Sequence, residues 1–165
     1  MRMLFPILTV AALLLPLASA HARLGETTAE LEARYGPGKV DDKPSVMVTL
    51  LPGAQAIRFE RPSGKVNVVI FQGKSVSERA TLDNEATRKA DTETLLKAYA
   101  GDSHWTYREK EKRWHRNDGK AVAYFYNANW FVVMDTDYAK ACEKEKEKAA
   151  KEKAKEKGTS NLKGF

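Results

Sequence analysis

One cysteine, Cys142, is all that the 165-residue chain carries. No disulfide can form within it, so stability rests on a packed core. Histidine is almost as scarce. Of three, His21 falls in an apolar leader, which leaves His104 and His115 for acid–base or metal chemistry. They stand beside Trp105 and Trp114, with Asp102, Glu109, Glu111 and Asp118 nearby, but form no H-x-x-x-H or carboxylate–histidine spacing. G-x-S-x-G, a P-loop and a cysteine nucleophile with a fixed histidine are also missing. These absences point away from catalysis, a metal and a cofactor. A small hydrolase built on His104 or His115 is the reading the spacing supports least.

Long hydrophobic runs are missing too. The longest, over residues 4–17, falls short of the roughly 20 residues that a membrane-spanning helix needs. It follows Arg2 and leads to Ala18, Ala20 and Ala22, the small-residue pattern of a secretory cleavage site. Residues 1–22 therefore read as a signal peptide, and the mature chain as periplasmic or extracellular; a membrane anchor is the alternative. Cys142 lies too far from this leader to be a lipidated first residue. A plain helical thiol is expected there, with a disulfide between chains as the other use.

The composition changes sharply near residue 138. Residues 140–157 hold eight lysines, five glutamates, four alanines and Cys142, a net charge of +3 within a chain of +6. Good helix formers dominate, and Glu147 with Lys151 has the supporting i,i+4 spacing. Without a broad apolar stripe, residues 139–165 are expected to form a solvated helical tail that makes at most weak peripheral contact with anionic surfaces. Interleaved glutamates argue against nucleic acid. Beyond Gly158, Leu162 and Phe165 restore two apolar groups with no evident destination.

Residues 23–138 amount to one domain. Two stretches of it read alike, RFERPSGKVNVVIF from Arg58 and RWHRNDGKAVAYFY from Arg113. At an offset of 55, Arg58, Arg61, Gly64 and Lys65 match Arg113, Arg116, Gly119 and Lys120, and Phe59 falls opposite Trp114. Each stretch is preceded by a helical segment. In the first, Thr27 or Thr28 caps a helix that Gly36 and Pro37 end; in the second, Asp91 or Thr92 caps a helix that carries Leu95, Leu96 and Tyr99 and stops at Gly101. Strands are expected at residues 46–51, 56–62, 65–73 and 75–80, then at 105–110, 112–117, 120–127 and 130–135. Asp118-Gly119 suggests a tight type I′ hairpin. The predicted fold is α+β: two helix-plus-antiparallel-meander repeats, about 24–82 and 90–136, in a sheet with helices on one side.

The first helix carries a resemblance. Gly25 and Thr27, followed by Leu31 and by Tyr35-Gly36-Pro37, resemble the G-x-T-x-x-x-V-x-x-x-L-G-x-P signature of small outer-membrane lipoproteins of the SmpA/OmlA type. That architecture is similar to the tandem repeats of the β-lactamase inhibitory protein. Pro37 comes one position early, and the lipid-bearing cysteine is missing. The resemblance implies a non-enzymatic module of the bacterial envelope that binds another protein or holds an assembly together.

Recognition residues are suggested by aromatics and arginines. Nine of fifteen aromatic residues fall between Trp105 and Tyr138. Alternation sends Tyr124 and Tyr126 to one strand face and Phe125 to the other, so both faces of the sheet carry large rings. One set is either an exposed surface for an envelope or secreted protein, or is covered by the tail, the linker or a second copy in a homodimer. The candidates are Trp105, Trp114, Tyr124, Tyr126 and Trp130. Arg58, Arg61, Arg113 and Arg116 join them if the two hairpins lie side by side and form a basic rim. Aromatics beside arginines would also suit a cell-wall or carbohydrate ligand.

Overall fold

The computed structural model describes residues 24–42, 51–61, 64–82 and 84–160. The expected signal segment, the strand at 46–51 apart from Leu51, and Leu162 and Phe165 lie outside them.

The elements run α1 (Thr28–Tyr35), β1 (Lys39–Val40), β2 (Gln55–Arg61), β3 (Gly64–Phe71), β4 (Lys74–Thr81), α2 (Arg88–Ala100), β5 (Trp105–Arg108), β6 (Arg113–Arg116), β7 (Ala121–Phe125), β8 (Trp130–Asp135) and α3 (Thr136–Ser160). The strands form one antiparallel sheet in the order β1-β2-β3-β4-β8-β7-β6-β5. The fold is thus α+β, with β4 and β8 paired at the centre from Ser77↔Met134 to Thr81↔Trp130.

α1 starts on a capping box. The Thr27 hydroxyl accepts from the Glu30 N–H at 3.3 Å, and the Glu30 carboxylate accepts from the Thr27 N–H at 2.7 Å. α2 starts earlier than expected, at Arg88, with Thr87 as an N-cap residue that makes no side-chain cap bond. Asp91 and Thr92 do not cap it: Asp91 accepts from the Thr87 hydroxyl at 2.6 Å, and the Thr92 hydroxyl donates to the Arg88 carbonyl at 2.7 Å. Both polar groups find partners inside the first turn, so the helix runs through them.

Turn chemistry also differs from the sequence reading. In a type I′ turn both central residues have positive φ. Asp118 does not, while Gly119 does at 73° and its N–H reaches the Arg116 carbonyl at 2.8 Å. The Asp118 carboxylate instead accepts from the Lys120 N–H and the Arg116 Nε, each at 2.9 Å, and holds a wider loop. Positive φ at two successive residues occurs at Gln72 (52°) and Gly73 (77°), in the two-residue link between Phe71 and Lys74.

Strand alternation sorts the core by face. On the first face α1 covers Ile57, Phe59, Val68 and Ile70 with Leu31, while α2 covers Ala123, Phe131 and Val133 with Leu95, Leu96 and Tyr99. On the second face Val122, Val132 and Met134 meet Tyr138 and Cys142 of α3, with Val69, Phe71 and Tyr124 packed around them. Helices therefore cover both faces, not one. The expected free tail is corrected with them: Tyr138 and Cys142 are buried, and Ala141, Glu145 and Ala149 continue a half-buried line at helical spacing. From Ala150 to Lys155 every side chain is exposed. No helix among the described residues is long and apolar enough to cross a membrane.

Candidate functional site

The four arginines do not meet. β2 and β6 lie in one sheet, but β3, β4, β8 and β7 separate them, roughly 24 Å at the usual strand spacing. Alternation divides the set again, with Arg58 and Arg113 on the second face and Arg61 and Arg116 on the first. Each has local company. Arg58 Nε lies 3.6 Å from Glu60, Arg113 reaches Glu143 of α3 at 3.2 Å, and Arg116 donates to Asp118 and, at 3.0 Å, to the Tyr99 carbonyl. Arg61 lies over the Tyr35 ring at 5.2 Å. No single basic rim exists because the hairpins sit toward opposite edges of the sheet.

The aromatics separate into core and surface. Trp114 meets Phe125 and Phe131 edge-on at 6.1 and 5.7 Å beneath α2. Trp105 packs in the same cluster and donates its indole N–H to the Leu96 carbonyl at 2.7 Å. Both tryptophans thus hold α2 onto the sheet. Tyr124 is half-buried beside α3, and burial raises its pKa.

Tyr126 and Trp130 remain at the surface. Their rings stack at 6.0 Å with planes 20° apart, and Tyr126 is 60% exposed. Sequence positions explain the pairing: Tyr126 and Trp130 close the β7–β8 hairpin, where the Tyr126 N–H donates to the Trp130 carbonyl at 2.9 Å. The Asn127 side chain accepts from the N–H groups of Asn129 and Trp130, both at 2.9 Å, and fixes the turn. Arg79 of β4 lies over the Trp130 ring at 4.1 Å. Its pKa is lowered first by burial, against which Asp41 and Tyr126 act. Arg79, absent from the sequence-derived set, was detectable only through the β4·β8 pairing that sets Arg79 and Thr81 against Val132 and Trp130. The result is a cation–ring–ring stack on the second face.

The histidines go to different partners. His115 contacts Glu111 at 2.8 Å, and His104 contacts the Asn117 side chain. Glu111 is exposed and held below the usual carboxylate range, first by Arg108 and then by His115. Among the described residues, no group of three or more histidine, cysteine or acidic side chains is placed to hold a metal.

A second feature, Glu78, was not singled out from sequence. Its side chain is 1% exposed, yet it carries a carboxylate. Tyr35 of α1 and Tyr99 of α2 donate their hydroxyls to its Oε2 at 2.8 and 2.7 Å, and Arg34 reaches Oε1 at 3.3 Å. Arg34 also pairs with Glu26. Burial raises the pKa of both tyrosines, and the charge of Glu78 adds to it. One clue was available: a glutamate in the middle of a β-rich run needs partners if that strand is interior.

Comparison with protein-family models, with curated proteins and with solved structures gives no match for this chain.

Proposed function

We propose that this is an exported, non-catalytic envelope module that binds another protein through the Arg79–Trp130–Tyr126 stack. The observation that carries this reading is the exposure of Tyr126 on a ring pair already ordered by Arg79 and by the Asn127 turn. An aromatic surface fixed before binding loses little side-chain entropy when it is covered, and tyrosine, tryptophan and arginine are enriched where interfaces gain most of their affinity. The helix-plus-four-strand order in each half, with sheet positions that mirror about the β4–β8 pair, supports a duplicated unit of the kind found in the β-lactamase inhibitory protein. The likeness of the Gly25 to Pro37 stretch to the SmpA/OmlA type belongs to the same reading. The outer part of α3 acts as a charged spacer or weak tether, and the leader directs the chain to the periplasm or beyond.

A photo-crosslinking residue at position 126 in the full chain, expressed in cells, tests this reading. A discrete protein adduct is expected at 126, absent when the same group stands at the exposed Tyr107 on the other face, and lost in Trp130→Ala. Equal labelling at 126 and 107, or no adduct at 126, rejects the protein-binding reading. The stacked pair also favours a second reading, a sugar-binding platform. Retention on insoluble peptidoglycan that Tyr126→Ala abolishes would establish that one instead.

A further inference from the structure

β5 is an outer strand of the sheet, paired among the described residues with β6 alone. The opposite edge, β1, is two residues long. The Asn117 N–H donates to the His104 carbonyl at 2.9 Å. Backbone bonding alternates along an antiparallel strand, so His104, Thr106 and Arg108 bond inward to β6, and the N–H and C=O groups of Trp105 and Tyr107 point out of the sheet. Proline, lysine and a bulge, which blunt many such edges, are missing from β5.

Side chains and turns decide what such an edge accepts. Trp105 and Tyr107 lie on the first face. The Trp105 indole is held by the Leu96 carbonyl, and Tyr107 leans on Trp114 of β6 at 4.7 Å while 41% exposed. Thr106 and Arg108, both exposed, lie on the second face. Turns close both ends: the Ser103 N–H reaches back to the Ala100 carbonyl at 3.0 Å, and the Glu111 N–H to the Arg108 carbonyl at 3.1 Å. Extended backbone is thus confined to residues 104–108, and within it only Trp105 and Tyr107 offer hydrogen bonds outward.

We infer that β5 of a second copy of this chain adds to this edge, antiparallel, with a two-fold axis at Thr106. A symmetric pair must set outward groups against outward groups. One register alone does so for both residues without drawing on the turns: Trp105 opposite the second copy's Tyr107, Tyr107 opposite its Trp105, and Thr106 opposite its Thr106. Each Trp–Tyr pair exchanges two N–H···O bonds. The same register makes two aromatic pairs on the first face and a Thr–Thr pair on the second, combinations that stabilise neighbouring strands. Arg108 falls opposite His104 and not opposite a second arginine. An edge this short belongs to the weak, transient class of interfaces, with a dissociation constant in the micromolar range.

Sedimentation equilibrium of the exported chain over a concentration series tests the inference, and a reversible dimer is expected. Thr106→Lys and Thr106→Glu each set like charges together at the axis and should weaken association roughly tenfold or more; mixing the two should restore it as a heterodimer. Thr106→Cys should cross-link to itself on mild oxidation, because the opposed Cα atoms lie roughly 4.5 Å apart. Arg108→Cys should not, since its two copies stand roughly 14 Å apart along the strands. Cys142 is buried and does not compete. Tyr126→Ala should leave the dimer intact, which separates this edge from the aromatic stack. A photo-crosslinking group at 107 should join the chain to itself, an adduct distinct in mass from one with another protein at 126. A chain that stays monomeric throughout the series, a Lys–Glu mixture no tighter than either variant alone while both keep the wild-type circular dichroism, or equal cross-linking of Thr106→Cys and Arg108→Cys would overturn it.

Discussion

Side chains from both first-face helices converge on Glu78. A carboxylate removed from water is tolerated only when its lone pairs are used, and here two phenols and a guanidinium use them. Glu78→Ala leaves those donors buried without their acceptor, and is expected to cost about 3 kcal/mol in urea unfolding. Tyr99→Phe removes one hydrogen bond to a charged group and should cost about 2 kcal/mol. The same cluster sets an alkaline limit. Tyr35 and Tyr99 have folded pKa values above the ordinary tyrosine value, with burial as the first cause. The folded state therefore keeps protons that the unfolded state releases above about pH 10. Their contribution is complete below the unfolded pKa and is lost as pH rises toward the folded one, at about 1.4 kcal/mol per pH unit for each tyrosine. Unfolding midpoints should fall above pH 10, and less steeply in Tyr35→Phe, Tyr99→Phe; an equal slope in that variant would exclude the cluster as the cause.

Among the elements, α3 departs most from its composition. Its inner turns place Tyr138 and Cys142 against Val122, Val132 and Met134, while residues 150–160 extend past this contact for roughly 16 Å. Ending the chain after Ala150 should leave the stability unchanged, whereas ending it after Ala139 uncovers the second face and should lower the stability by about 2 kcal/mol, the worth of one or two buried side chains. Thermal melts of the two truncations separate these outcomes. The lysine-rich sequence concealed this docking because Tyr138, Ala139 and Cys142 carry it, too few positions to make an apolar stripe within a charged helix. Strands announced themselves better. VNVVIF and AVAYF alternate and are bounded by glycine, so β3 and β7 were legible, as was the Thr27 cap of α1. Sheet order was not, because it depends on which strands meet across the middle, and nothing local in β4 or β8 specifies that pairing. The stack of Arg79 on Trp130 shared this obscurity: its two members are 51 positions apart (130 minus 79) and become neighbours only through the β4·β8 pairing.

For the whole molecule, the question is whether its two halves unfold as one. Each half has its own helix and its own cluster on the first face, Leu31 with Ile57 and Phe59 in one, Tyr99 with Phe131 and Val133 in the other. Left there, the halves could open separately. Three connections oppose this. β4 and β8 share a five-residue ladder, Glu78 of the first half accepts from Tyr99 of the second, and α3 packs on Val69 and Phe71 as well as on Val122 and Met134. The seam is thus hydrogen-bonded in the plane, tied by a buried carboxylate on one face and strapped by a helix on the other. A structure joined in this way should behave as one cooperative unit. Native-state amide exchange is expected to give Val68 of β3 and Val133 of β8 the same opening free energy, within about 0.5 kcal/mol, because both report global unfolding. Truncation after Ala139 removes the strap and Glu78→Ala removes the tie, and in the chain carrying both changes Val68 should open before Val133. If the two amides already differ by several kcal/mol in the intact chain, the halves are independent foldons, and the continuous sheet joins them without coupling them.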